Sequence, residues 1–330
     1  MSRAAVGRLA AAGVALLTLV TVAGATRAPA APPDARVRWI GYLANEPTPD
    51  SAPILREALR ERAWVEGESL KIWYRYAQGK PDFYAQHADD LVRLNVSAIV
   101  AVGPEAIDAA RKATKKIPIV MIALDDPAEL VRESAGPAPN LTGITTYAPE
   151  APARRVDLLC EVVPRLARAA LLWSSDSAGA TADVRATEAA ASARGVELVK
   201  VEVTTQTDVR QALARIEKLH PQGLIVLADA VTLAHRQRLA TFASRNKLPA
   251  VFPSRDYADA GGLLAYGANW TDVFRQIGGL VDQILRGARP ADLGIRRAAR
   301  FELVVNLRAA RAMPVTLPSS LLQRADRVIE

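Results

Sequence analysis

From residue 37 onward, short continuous apolar runs rich in β-branched residues alternate with longer segments whose apolar positions recur every three or four residues. VRWIGYL (37–43), LKIWYRYA (70–77), SAIVAVG (97–103) and IPIVMIAL (117–124) read as strands. APILREALRER, DFYAQHADDLVRLN and AIDAARKATKK, which separate them, read as helices, and LTGITTY (141–147) is a further extended piece. The same alternation then restarts. PARRVDLLCEVVPRL predicts a helix, ARAALLWSS a strand, ADVRATEAAASARG a helix, VELVKVEV a strand and TDVRQALARIEKL a helix. GLIVLAD, TLAHRQRLATFASRN and PAVFPS continue it as strand, helix and strand. Buried apolar strands alternating with helices predict parallel sheets covered on both faces. Two such sets predict an α/β protein of two doubly wound parallel-sheet lobes.

The polar residues punctuate this pattern at one consistent place. Gly103-Pro104-Glu105, Asp125-Asp126-Pro127, Ser174-Ser175-Asp176, Asp229 and Ser254-Arg255 all follow the C-terminal ends of expected strands. Singly, each is a turn or a helix cap, roles that Asp, Ser and Gly favour. Together, in both halves, they point to a binding cleft, because ligands of open α/β sheets sit outside those carboxyl ends. GGLLAYGANWTD (261–272) is a further junction, an apolar strand closing in Tyr266-Gly267-Ala268-Asn269-Trp270 before a long helical pattern.

Composition narrows the classes. The chain has 330 residues, half of them hydrophobic and 23% charged, which suits a globular protein of two ordinary domains. Its formal charge of +7 is spread over many helices with no nucleic-acid motif, so no nucleic-acid partner is expected. Arg3 and Arg8, the apolar run Leu9 to Val22 and the small residues Ala23-Gly24-Ala25 read as a signal peptide, residues 1–25. No cysteine follows the run, so an exported, periplasmic protein is expected rather than a lipoprotein. The lone Cys160, in a helical pattern, excludes an internal disulfide and reads as a small buried hydrophobe.

Catalytic signatures are missing from the sequence. It holds no phosphate loop, no dinucleotide fingerprint, no G-x-S-x-G elbow and no H-E-x-x-H pair. His87, His220 and His235 lack partners at metal-ligand spacing. Binding without turnover, cofactor or metal is therefore expected.

The blocks taken in order resemble the ABC-transporter substrate-binding proteins of the tryptophan/tyrosine-type uptake group. The resemblance rests on VRWIGYL, LRERAWVEGESLKIWYRYAQGKPD, SAIVAVGPEAIDAARKATKKIPIVMIALDDP, NLTGIT, ALLWSSDS, GLIVLADAVTLAHRQRLATFASRNKLPAVF, DYADAGGLLAYGANWTDVFRQ and FELVVNLRAAR. It spans nearly the whole chain after the signal segment. It implies a type I periplasmic-binding-protein fold, two lobes joined by three crossing segments near 146–150, 258–264 and 300–306. Lobe one would hold 34–147 and 262–299, and lobe two 148–261 and 300–330. The candidate ligand-binding residues are Asn45, Gly103, Pro104, Glu105, Asp126, Thr142, Ser174, Ser175, Asp229, Arg255, Tyr266 and Asn269.

In that picture the backbone N–H groups after strands 97–103 and 117–124 hold a carboxylate, and Asp229 pairs with an ammonium. Tyr266 and Trp270 cover the solute or the hinge, and Asn269 caps the following helix or bonds the solute. The implied partners are a small solute, best an amino acid, and an inner-membrane ABC permease, with the protein a monomer. The alternative is an exported sensor presenting the solute to a membrane receptor. Ala63-Trp64 and Ser174-Ser175 depart from the family's usual Gly-Tyr and Asn-Pro, and loop 45–51 has its own composition, so the aromatic preference does not transfer directly.

Overall fold

The computed structural model describes residues 37–47, 51–124, 139–175, 180–204 and 208–330. The expected signal segment and Asp126 lie outside them. The first lobe is built on β1 (Arg38–Ala44), β2 (Leu70–Tyr76), β3 (Ala98–Val102), β4 (Ile119–Ala123) and β5 (Leu141–Thr145). Between these strands run α1 (Ser51–Arg60), α2 (Pro81–Arg93) and α3 (Pro104–Ala113). The second lobe opens with α4 (Ala151–Val162), β6 (Arg168–Ser174), α5 (Ala180–Ala193), β7 (Glu197–Val203), α6 (Val209–Leu219) and β8 (Gly223–Val226). It continues through α7 (Ala230–Ala234), α8 (Arg236–Arg245), β9 (Ala250–Phe252), α9 (Arg255–Asp259) and β10 (Leu264–Ala268). The chain then forms α10 (Trp270–Leu285), α11 (Pro290–Leu293), β11 (Ile295–Arg297), β12 (Phe301–Asn306), α12 (Leu307–Arg311), α13 (Ser319–Gln323) and β13 (Arg327–Ile329).

Two sheets result, in the orders β11-β5-β4-β3-β1-β2 and β13-β12-β10-β9-β8-β6-β7. Among the described residues every pairing is parallel except β10 with β12. The two-residue period of a strand explains why both faces are covered. In β1, Ile40 and Tyr42 join a core with α1 and α10, whereas Leu43 joins the opposite core with α2 and α3. Along β6, Leu171 packs towards α4 and α5, and Ala170 and Leu172 towards α6 and α8.

Lobe boundaries follow from strand pairing. The chain leaves the first sheet after β5 and enters α4 through 146–150. The expectation put 262–299 in lobe one with a crossing at 258–264. That is corrected: β10 pairs with β9 on one side and β12 on the other, inside the second sheet. The crossing falls at Asn269, because α10 supplies Val273, Phe274 and Ile277 to the first lobe's core. The third crossing is likewise earlier than 300–306. β11 pairs with β5, and β12 already lies in the second sheet. Gly261-Gly262, inside the expected crossing 258–264, closes the turn after α9, with the Gly262 N–H bonded to the Tyr257 carbonyl at 2.8 Å. The crossings are held side by side by Ala298 N–H to Thr145 O at 2.8 Å and Asn269 N–H to Arg300 O at 3.0 Å.

Gly267 sits in this seam for a steric reason. A Cβ there would lie 1.8 Å from the Pro253 carbonyl oxygen, a backbone atom with no rotamer to escape into. Gly267→Ala is expected to destabilise the fold by about 1–3 kcal/mol, the usual cost of overpacking. Equilibrium denaturation measures it, and an unchanged midpoint would show that the β9–β10 contact can yield.

Candidate functional site

The carboxyl ends of the two sheets face one another across a cleft of about 210 Å³. Lobe one lines it with Tyr42 of β1, Asn45 and Glu46 just after that strand, Tyr84 from α2, Gly103 and Glu105 at the start of α3, and Trp270 and Phe274 from α10. Lobe two contributes Arg155 from α4, Asp183 from α5, Asp229 after β8, Arg236, and Ser254 to Tyr257 after β9. Phe301, the first residue of β12, completes the lining near the seam.

Each polar group has a local reason for its position. Asp229 is buried and caps α7, its Oδ1 accepting from the Thr232 N–H at 2.7 Å. The Tyr257 hydroxyl donates to Thr232 Oγ1 at 2.9 Å, and burial first, then the Asp229 charge, push that phenol well above its usual range. Tyr84 is shifted the same way, by burial and then by the carboxylates of Glu105 and Glu46. Asn45 uses its Oδ1 to accept the Gly79 N–H at 2.7 Å, so the loop after β1 is tied to the turn after β2. Arg255 reaches across the lobes, donating to Thr271 Oγ1 of α10 at 3.2 Å.

The N-terminus of α3 is less open to an anion than the sequence suggested. The Gly103 N–H donates to the Ile122 carbonyl at 3.0 Å within the sheet, and Pro104 has no N–H. Gly103, at φ 90°, and Pro104 thus shape the turn without offering a donor. Glu105 places a carboxylate in the first turn, where it complements the helix dipole itself.

Arg155 is the residue that sequence reasoning missed. It is 5% exposed, and its Nε donates to the Tyr266 carbonyl at 3.0 Å. Its Nη1 is buried and meets no acceptor among the described residues. Burial lowers the guanidinium's pKa, opposed by the Asp183 charge, while burial raises Asp183, opposed by Arg155. The signal was legible: Arg155 falls on the apolar face of α4 with Ala151, Leu158, Leu159 and Val162, all buried. A cation on a buried stripe needs a partner or a purpose.

Of the twelve candidates, Asn45, Gly103, Glu105, Asp229 and Arg255 come together in the cleft. Pro104 is adjacent at the start of α3. Thr142 does not line the cleft. It is fully buried in β5, its hydroxyl donating to the Gly294 carbonyl at 2.5 Å. Ser174 is buried at the end of β6 and Ser175 is exposed, and neither lines the cleft. Tyr266 packs against Phe301 behind the lining, with ring centroids 6.1 Å apart. Asn269 caps α10, accepting from the Asp272 N–H at 2.9 Å, and donates to Glu302 Oε2 at 3.1 Å. Trp64, in the departing Ala63-Trp64 pair, is buried away from the cleft, where its indole N–H donates to Asp282 at 2.8 Å.

Two parallel-dominated sheets, three crossings and a cleft at the strand ends define the type I periplasmic-binding-protein fold. Solved structures agree. A conserved domain protein from Vibrio cholerae is 26% identical, with TM-score 0.80 over 89% of this chain and 100% of that one. A Streptococcus pneumoniae protein in complex with L-Trp is 23% identical, with the same TM-score and coverage. A ligand-free, open substrate-binding protein with adhesive properties from Clostridium difficile is 22% identical, with TM-score 0.67 over 89% of this chain and 99% of that one. By sequence, a tyrosine-binding protein of Clostridioides difficile is 23% identical over 278 residues, 83% of this chain and 79% of its own length. The sequence model of the ABC transporter substrate binding protein family matches residues 53–329, and the chain belongs to that family.

Glu302, beside the seam, carries a pH consequence. It is buried, with Oε1 lacking a partner among the described residues. Burial raises its pKa above the ordinary 4.5, opposed first by Arg255. The folded state therefore holds this proton more tightly than the unfolded one, so stability declines as pH rises through the raised pKa. Glu302→Gln, which keeps the acceptor for Asn269, is expected to raise Tm at pH 7, with the gain closing as pH falls to 4.5. A lower Tm at pH 7 would show that the charge itself holds the seam.

Proposed function

We propose that this protein is the exported, monomeric solute-binding component of an ABC uptake system. It takes an amino acid into the interlobe cleft and presents it, unchanged, to an inner-membrane permease. One observation carries the reading: a single cleft combines an aromatic wall with buried charges of both signs. Tyr42, Tyr84, Trp270 and Phe274 offer apolar surface, and the buried Asp229 and Arg155 offer charge of both signs. A zwitterion with an apolar side chain matches both.

The size supports a small solute, since about 210 Å³ is below the roughly 300–1,000 Å³ of drug-sized sites. The tyrosine-binding relative and the L-Trp complex point the same way. The ammonium falls to Asp229, whose Oδ1 accepts from the Thr232 N–H of the helix it caps. Closure of the lobes around the solute shifts the population towards the form a permease recognises.

A thermal-shift screen of the L-amino acids tests the reading. A ligand at 100 times its Kd is expected to add about 2.7 kcal/mol of stability. No shift with any of them would end the amino acid proposal. Asp229→Asn keeps a good cap and removes the charge. It is expected to weaken binding by about 10- to 100-fold, as the loss of a hydrogen bond to a charged group does. Unchanged affinity in calorimetry would remove Asp229 from the ammonium site.

A further inference from the structure

We infer that Arg155 holds the solute's carboxylate, so that lobe two, not the helix end in lobe one, is the anion-binding side of the cleft. The inference rests on the cleft being the solute site. It deepens that reading by fixing which end of the solute enters which lobe.

Arg155 is more than nine-tenths out of water, at 5% exposure, yet among the described residues only its Nε is used, by the Tyr266 carbonyl at 3.0 Å. Nη1 is buried without an acceptor among the described residues. A guanidinium left in that condition is unfavourable unless a charge arrives to complete it. Asp183 supplies a field but no direct ion pair among the described residues. The Nε contact fixes the plane of the guanidinium from behind, and a planar carboxylate can accept from the remaining nitrogens.

Charge around the site selects the kind of anion. Asp183 and Asp229 line the same wall, and Glu105 faces them from lobe one. The whole lining sets five carboxylates, with Glu46 and Asp256 added to these, against the three guanidiniums of Arg155, Arg236 and Arg255. This excess of negative charge disfavours a doubly charged phosphate and leaves a singly charged carboxylate as the matching group. Among the described residues, the start of α3 in lobe one offers a weaker alternative. The Gly103 N–H is bonded to Ile122, Pro104 has none, and Glu105 already occupies the first turn of α3.

Calorimetry with acid and amide pairs tests the assignment: L-tryptophan with L-tryptophanamide, L-tyrosine with L-tyrosinamide, and the amine-free 3-phenylpropanoate with its amide. In the unmodified protein the acid of a pair is expected to bind about 100-fold more tightly than its amide. In Arg155→Gln that gap is expected to shrink below about threefold, and Arg155→Lys to restore part of it. Amides bound as tightly as acids by the unmodified protein would overturn the assignment while leaving the amino acid reading intact, and need no variant to fold. A gap that persists in Arg155→Gln would also overturn it. If 3-phenylpropanoate binds in preference to its amide while neither amino acid binds, Arg155 keeps the carboxylate and the amino acid reading falls. If none of the acids binds, the assignment is overturned.

Discussion

The antiparallel pairing of β10 with β12 is the constraint on which the rest of the molecule depends. Among the described residues it is the one reversal in two otherwise parallel sheets, and it exists because the chain leaves lobe two at Asn269 and returns at Phe301. The bond from Asn269 N–H to Arg300 O holds outgoing and returning segments together, and Gly267 lets the outgoing strand lie against the Pro253 carbonyl. The same strand offers the Tyr266 carbonyl to Arg155. Hinge and cleft are therefore connected through one guanidinium, and a change in the position of β10 is felt by a residue lining the cleft.

Around that connection the protein accepts an electrostatic cost. Arg155 is buried, and burial works against the charged forms of Arg155, Asp183 and Glu302 alike. Such groups destabilise a free protein, since dispersed charges in a poorly solvated space are not compensated by direct pairing. Binding proteins nevertheless keep them, because a ligand that brings the opposite charge recovers the lost interaction where water is already excluded. Surface pairs such as Lys112–Asp108, both well exposed, contribute little to stability or selectivity.

Much of the fold was legible because each strand sorts its residues between two cores by simple alternation, as Ile40 and Leu43 do. Periodicity identifies a strand but not its neighbours, which is why Leu264–Ala268 was placed in the wrong lobe. Its antiparallel partner lies more than thirty residues downstream, and only the hydrogen-bond ladder reveals the match. Polar residues at strand ends singled out Glu105, Asp229 and Arg255, which line the cleft. They also singled out Ser174, whose small hydroxyl is buried at the end of β6 and does not line the cleft. Of the aromatic wall only Trp270 was singled out, because Tyr42 and Phe274 obey the same apolar spacing as true core residues. Only the facing lobe distinguishes a core from a cleft.

The division of labour between the lobes bears on how binding could be converted into a signal. Aromatic surface comes mainly from lobe one, through Tyr42, Tyr84, Trp270 and Phe274, and most of the charge from lobe two, through Arg155, Asp183, Asp229, Arg236 and Arg255. A purely apolar solute would be satisfied by the first lobe and a simple ion by the second, and neither would favour bringing the lobes together. A ligand shifts a conformational equilibrium only by its difference in affinity for the two states. A solute with an apolar body and a charged head gains its full set of contacts only when both lobes touch it. Selectivity and closure then arise from the same interactions, and the Arg255–Thr271 bond shows that the lobes already meet at the edge of the cleft.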